Sequence, residues 1–297
     1  MKLGFIEYYL DEWHANHYPE WLRAASGGEM EVGFAWAMAD SPNGGLSSAQ
    51  WCEKHHVAPC STQEELIEKS DGILVLSPDN CELHEKLCRL ALRSGKPCYV
   101  DKTFAPDKAS AQRIFKAAEE SGTPCWSTSA LRFAEEYRGV KRDGILAANS
   151  WGPYGYETYS IHQLEPLVML MRSPARRVMA LKTPGWYLLN IEFSDGRCAS
   201  ISGYGHGSPF VMNLSGSDGS AIVEIKSDYF HNFILALVDY FRTKKIPVAH
   251  EETVAIMALR EAGKKALGRA VPFPEVQPGG FVFEARIGSV DQPPAVV

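Results

Sequence analysis

The sequence lacks the features that would mark a nucleic-acid, membrane or disulfide-built protein. Basic residues are outnumbered, with 30 Lys and Arg against 36 Asp and Glu and a net charge of −6, and adjacent basic residues occur only in doublets such as Arg176-Arg177 and Lys244-Lys245. That balance argues against a surface that tracks a phosphate backbone. No apolar run reaches the length of a membrane-spanning helix. The seven cysteines are odd in number and none stands at Cys-x-x-Cys spacing, which fits reduced thiols in a cytoplasm rather than a disulfide framework. The opening MKLGFIEYYLDEW has no continuous apolar core of the signal-peptide kind and turns acidic at Glu7, so a cytoplasmic location is expected. There is no long repeat and no low-complexity tract; residues 291–297 read as an extended tail.

A further shortage is local. Leu3 to Ile6 reads as a first strand and His14 opens a helix, yet the connecting Glu7–His14 contains no glycine. A dinucleotide-binding domain carries Gly-x-Gly-x-x-Gly in this turn. Large side chains block the close backbone approach that a diphosphate needs. Glu7, Asp11 and Glu12 also add negative charge, and a like-charged pair at about 4 Å costs about 4 kcal/mol at an effective dielectric of 20. The helix start still offers free N–H groups and a positive dipole end, so weak or shallow dinucleotide binding is expected.

What is present is an α/β pattern. Gly72–Leu76 is a short apolar, β-branched run bounded by Ser-Pro-Asp-Asn, a buried strand. Asn80 is placed to cap a helix whose Leu83, Leu87, Leu90 and Ala91 keep the 3.6 period, with Gly95 to stop it. Pro97–Val100 is the next strand, Asp107 caps the next helix, and Cys125–Ser129 is a third strand. Short connections make this a parallel sheet with right-handed crossovers. Asp101 and Lys102 fall at the carboxyl edge of that sheet, where open α/β folds keep their chemistry. Glu31–Ala39 is the second strand, and Asp40 after it either meets an adenosine ribose or is a solvated turn acid before Ser41–Gly45. At 297 residues there is room for a second domain. Arg177–Leu181, Trp186–Phe193, Arg197–Ser202 and Ala221–Lys226 read as strands joined by Ser194-Asp195-Gly196 and Ser217-Asp218-Gly219, hence an antiparallel sheet. Amphipathic helices follow at Phe230–Arg242 and Glu252–Leu267. The fold class is therefore α/β: a Rossmann-like parallel-sheet domain over 1–128 and an α+β domain with a largely antiparallel sheet over 129–297.

These residues carry a resemblance. Asp101-Lys102-Thr103 stands where the glucose–fructose oxidoreductase/inositol dehydrogenase/MocA (Gfo/Idh/MocA) family has Glu-Lys-Pro, Arg132-Phe133 where it has Arg-Phe/Tyr, and Ser77-Pro78-Asp79-Asn80 loosely where it has Thr-Pro-Asn. His162 and Glu165 match the family's catalytic His and the acid three residues on, although Thr158 replaces its earlier Asp. The resemblance implies an oxidoreductase moving a hydride between NAD or NADP, with NAD favoured, and a carbohydrate-like alcohol. It implies catalysis by Lys102 and His162, with His162 as general base and Lys102 holding the substrate oxygen. It places cofactor contacts at Ile6, Glu7, Tyr8, Asp40, Ser77, Pro78, Asp101 and Lys102. Substrate contacts fall at Trp13, Arg132, Tyr156, Thr158, Tyr159 and Glu165. The late helices would pack back on the first domain, and the chain would be a homo-oligomer.

Several of these residues have a second reading from the sequence itself. Arg132 binds substrate oxygen or pairs with Glu135. Tyr8, Tyr9, Trp13 and Trp151 form a sugar-stacking wall or ordinary packing. His14-x-x-His17 shares a helix face but has no further ligand at metal spacing, so no metal is expected. The glycine-free turn supports another function, a sensor or accessory protein that binds a sugar without redox chemistry; a lyase or epimerase using the same Lys and His on a carbonyl substrate is a third.

Overall fold

The structure, a computed structural model, describes residues 1–42, 44–204 and 208–269. Asn43 and the tail expected at 291–297 lie outside the described residues. The first half comprises β1 (Lys2–Glu7), α1 (Trp13–Ala25), β2 (Glu31–Ala37), α2 (Ser48–His55), β3 (Ala58–Pro59), α3 (Gln63–Lys69), β4 (Gly72–Val75), α4 (His84–Cys88), β5 (Cys98–Val100), α5 (Lys108–Glu120) and β6 (Cys125–Trp126). The six strands are all parallel, in the order β3-β2-β1-β4-β5-β6. Leu3 to Glu7 of β1 are buried because helices cover both faces of the sheet, as parallel sheets require. Gly4 permits this: a Cβ there would stand 2.4 Å from Ser70 Oγ and 2.6 Å from Leu66. The chain leaves β1 toward β2 and β3, then crosses to β4. This switch point opens a crevice at the carboxyl ends of β1 and β4.

The helix expected from Asn80 to Gly95 is broken. A 3-10 turn at Cys81–Leu83 precedes α4, and another at Ala91–Arg93 follows it. Asn80 does not cap: at φ −126°, ψ 56° it is outside the extended geometry of an N-cap, and its amide donates to Glu82 at 3.3 Å. Asp107 does cap α5, accepting from Ser110 N–H at 2.7 Å.

Two 3-10 turns, Ala130–Phe133 and Glu135–Tyr137, lead into the second sheet. It is made of β7 (Ile145–Pro153), then α6 (Tyr156–Met171) crossing over it, β8 (Ala175–Thr183), β9 (Trp186–Phe193), β10 (Cys198–Tyr204), β11 (Val211–Gly216) and β12 (Gly219–Glu224). The order is β12-β11-β7-β10-β9-β8, antiparallel except for the β7–β10 pair. Strict alternation on β9 buries Tyr187, Leu189, Ile191 and Phe193, the period of a sheet with one covered face. Helix α7 (Tyr229–Thr243) returns to lie against α1, and α8 (His250–Leu267) packs on α5, α6 and β8.

Tyr240 pins α7 to the first sheet. Its buried hydroxyl lies 2.8 Å from Pro124 O and 3.0 Å from Cys98 O, and accepts from Cys98 N–H at 3.1 Å. Tyr240→Phe is expected to lower unfolding stability by about 1 kcal/mol, the usual value of one net hydrogen bond. Urea unfolding checks this; an unchanged midpoint would contradict the anchoring role.

Candidate active site

A cavity of about 470 Å³ opens between the carboxyl edge of the first sheet and α6. Lys102, one residue past the end of the buried β5–Asp101 segment, reaches it from the sheet, and its ammonium lies 3.4 Å from Pro78 O. His162 reaches it from the second turn of α6, half-buried, with Nδ1 2.7 Å from Ser129 Oγ. His14, at the start of α1, supplies a third titratable group. Tyr9, Trp13, Tyr159, Phe210, Tyr229 and Phe230 form much of the wall. A larger groove of about 780 Å³ between α5, β8 and α8 shares no residue with this cavity.

Beneath the cleft lies a compact polar network. Asp101 is buried; Oδ2 meets His14 Nδ1 in a short contact, and Oδ1 accepts from Tyr99 OH at 3.0 Å. Burial alone would raise its pKa, but the electrostatic pull and hydrogen bond of the His14 ring and the Lys102 cation outweigh that and bring it down to about 2. Glu12 is the N-cap of α1, with its carboxylate accepting from His14 N–H at 2.8 Å and from Ala15 N–H. Glu7, buried at the end of β1, accepts from Tyr8 N–H at 2.8 Å and Ser77 N–H at 2.7 Å. Burial raises both glutamates, and Glu7 is raised further by Glu12 and Asp101. Burial, then the nearby charges of Lys102 and His14, push His162 down to about 3, so its imidazole is neutral at pH 7.

The structure gathers some of the expected site residues and disperses others. Lys102, His162, Pro78, Trp13, Thr158 and Tyr159 line the cavity. Ile6, Glu7, Ser77 and Asp101 lie under it in the network or the core. Arg132 and Glu165 are corrected. Arg132 Nε donates to Glu165 at 2.9 Å and its other end pairs with Glu252, not Glu135, while Glu165 also accepts from Thr128 Oγ1 at 3.1 Å. Both are consumed by this buried pair and do not line the cavity. Tyr156 is also turned away: its hydroxyl donates to Arg260 O at 2.8 Å, fitted against Gly263, where a Cβ would stand 2.1 Å from it. Trp151 is exposed on β7 and Tyr8 packs edge-on to Tyr9, both outside the cavity. Asp40 is exposed and accepts from Ser48 N–H at 2.7 Å, which lowers its pKa. His14 turns to Asp101 while His17 Nδ1 faces Trp13 O at 2.6 Å, so the two histidines diverge. The sequence did not point to Ser129 as the partner of His162; its place just past the carboxyl end of β6 was the available signal. Nor did it point to His14 as a cleft residue paired with Asp101.

Residues 39–129 match the family described as an oxidoreductase family with an NAD-binding Rossmann fold. No curated protein sequence matches the chain. Among solved structures, scyllo-inositol dehydrogenase from Lactobacillus casei, with NAD(H) and scyllo-inositol, is similar with a TM-score of 0.74 at 13% identity over 91% of this chain and 97% of that one. Biliverdin reductase from Synechocystis sp. PCC 6803, with biliverdin and NADP+, gives 0.70 at 16% over 90% and 99%. A probable dehydrogenase from Thermotoga maritima gives 0.75 at 14% over 91% and 97%. The resemblance to the Gfo/Idh/MocA family holds. At these identities the neighbours establish the fold, which in this family is an NAD(P)-binding one.

The residues of this chain do not fit a dinucleotide seated as that fold seats it. A diphosphate takes the free N–H groups at the first helix's start, and here Glu12 takes those of His14 and Ala15. The crevice floor between β1 and β4 holds the Glu7 carboxyl on Ser77 N–H. The ribose position, Asp40, is tied to the first turn of α2.

The His162 shift has a pH consequence. Its folded value lies below the unfolded value of 6.5, so between the two the unfolded chain binds more protons and stability rises with pH. Stability is therefore lost as pH falls below about 6.5. His162→Gln should lose on the order of 1 kcal/mol less than the parent between pH 7 and pH 5. Urea unfolding at both pH values checks this, and parallel losses in the two proteins would contradict it.

Proposed function

We propose that the cleft binds a carbohydrate-like metabolite and acts on a carbonyl-bearing form of it without redox change, as a lyase or epimerase. The observation that carries this reading is that Lys102 and His162, brought from the two halves of the chain, face one aromatic-walled cavity. The flat faces of Tyr9, Trp13 and Tyr159 suit a sugar's apolar face. Lys102 is a compact cation for negative charge developing on a substrate oxygen. Ser129 Oγ accepts from Leu131 N–H at 3.3 Å and has its own hydrogen to give to His162 Nδ1. That arrangement leaves Nε2–H of a neutral imidazole as a donor to the same oxygen, and a neutral imidazole polarises a carbonyl well. An imidazole so reluctant to protonate is a poor general base.

Hydride transfer between a nicotinamide and a sugar alcohol is what the resemblance implied. It needs a dinucleotide whose usual diphosphate seat is taken by Glu12 and Glu7. Binding without chemistry is the second reading, favoured by the aromatic wall; the convergence of a cation and a neutral imidazole favours the first. We also place the protein in the cytoplasm, where its seven free cysteines would stay reduced. It would be a homo-oligomer through the open face of the second sheet, which exposes Leu146, Met179 and Ile222.

The test is calorimetry and ligand-observed NMR with aldoses, ketoses, sugar acids and inositols. At least one should bind saturably, and Lys102→Ala should weaken binding or lower turnover by about 100-fold, the scale of losing one preorganised donor to a developing oxyanion. No binding, or binding and turnover indifferent to Lys102, would overturn the reading.

A further inference from the structure

We propose that His14, oriented by Asp101, is the proton-accepting base of this cleft, removing a proton from the carbon next to a substrate carbonyl while Lys102 holds the carbonyl oxygen. The inference rests on the reading of the cleft as a site for carbonyl-bearing sugars. The ring of His14 is fixed on three sides. Its Nδ1 is on Asp101, Tyr18 stacks on it at 5.1 Å and 11°, and Trp13 packs edge-on at 5.3 Å. Its backbone is fixed by the Glu12 cap. Asp101 is held in turn by the Tyr99 hydroxyl, which also lies 3.1 Å from Thr128 O.

This arrangement decides which nitrogen carries the hydrogen. Asp101 is ionised, and an ionised carboxylate only accepts, so Nδ1–H donates and Nε2 keeps its lone pair. Nε2 has no hydrogen-bond partner among the described residues, and His14 lines the cavity with Lys102 and His162. A buried carboxylate behind Nδ1 fixes the tautomer and balances the imidazolium that forms on the other side. His162 has no such carboxylate behind it: its Nδ1 is on the Ser129 hydroxyl, and the Lys102 cation stands nearby, which leaves proton acceptance to His14. The step balances: the C–H bond breaks and its proton goes to Nε2. The bonding pair forms a C=C bond as the carbonyl π pair moves onto oxygen, giving an enolate beside the Lys102 ammonium. Return of the proton from Nε2 to carbon restores the carbonyl compound, and exchange of that proton with solvent labels it.

Two measurements on the full chain test this. In the ¹⁵N-histidine-labelled protein, long-range ¹H–¹⁵N spectra should show neutral His14 protonated at Nδ1; an Nε2-protonated ring would overturn the proposal without any substrate. Ketohexoses and 2-keto sugar acids incubated with the protein in D₂O should gain deuterium at the carbon next to the carbonyl. His14→Gln should slow that exchange by about 100-fold or more, the scale of a lost general base. Asp101→Asn, as a change to a positioning residue, should lower kcat with little change in KM and should scramble the His14 tautomer. Exchange indifferent to His14→Gln overturns the proposal. A probe that binds the cleft without exchanging also overturns it, while leaving sugar binding intact. Failure of every probe to bind is instead the failure of the parent reading.

Discussion

The hydrogen bonds from His14 and Ala15 N–H to the Glu12 carboxylate are the contacts on which the cleft depends. A helix begins with four N–H groups that have no partner in the helix. In a dinucleotide-binding fold those groups, with the positive end of the helix dipole, are the means of holding phosphate. Here the Glu12 carboxyl, three residues upstream of Ala15, takes two of them, those of His14 and Ala15. The capping group is internal, so the helix start is already hydrogen-bonded before any ligand arrives. Its first turn is aimed so that His14 meets Asp101.

A second consequence is electrostatic. Glu7, Glu12 and Asp101 are three carboxyl groups buried within each other's influence, with the Lys102 ammonium and the His14 ring beside them. Burying like charges together is costly unless some are neutralised or strongly paired. The protein divides the labour. Asp101 stays ionised because it faces His14, whereas Glu7 is driven toward its protonated form and is used to hold the Ser77 backbone. Ser77 itself sits at φ +70°, a conformation that costs a non-glycine residue, and the Glu7 bond to its N–H helps to fix it. The seat of a cofactor has thus become part of the scaffold for side chains facing the cleft.

Much of this fold was legible in the sequence because local signals agreed with it. The short apolar runs ending at Leu76, Val100 and Ser129, with helices between them, specify parallel strands, and they put Lys102 at the sheet edge without further information. The same holds for β9, whose alternation is unambiguous. What was not legible depended on partners far away in sequence. Arg132 had an acid nearby in Glu135, but its partners are Glu165 and Glu252, 33 and 120 residues off. Asp101 finds His14 across 87 residues. β7 and β11 were missed because ILAANSWGP and VMNLSG mix small, polar and turn-forming residues, and only pairing with neighbouring strands makes them extended. The absence of glycine after β1 was visible at once. That Glu12 would replace the phosphate rather than merely repel it required the backbone geometry.

The central claim is that the chain keeps a dinucleotide fold while filling the dinucleotide's anion seat with its own carboxylates. Calorimetric titration of the full-length protein with NAD, NADH, NADP and NADPH at neutral pH tests it most directly. The account predicts no saturable binding up to about 1 mM, that is, no affinity beyond about −4 kcal/mol. Saturable binding of any of the four in the micromolar range would contradict it, for the diphosphate would then have found a place that Glu7 and Glu12 leave free.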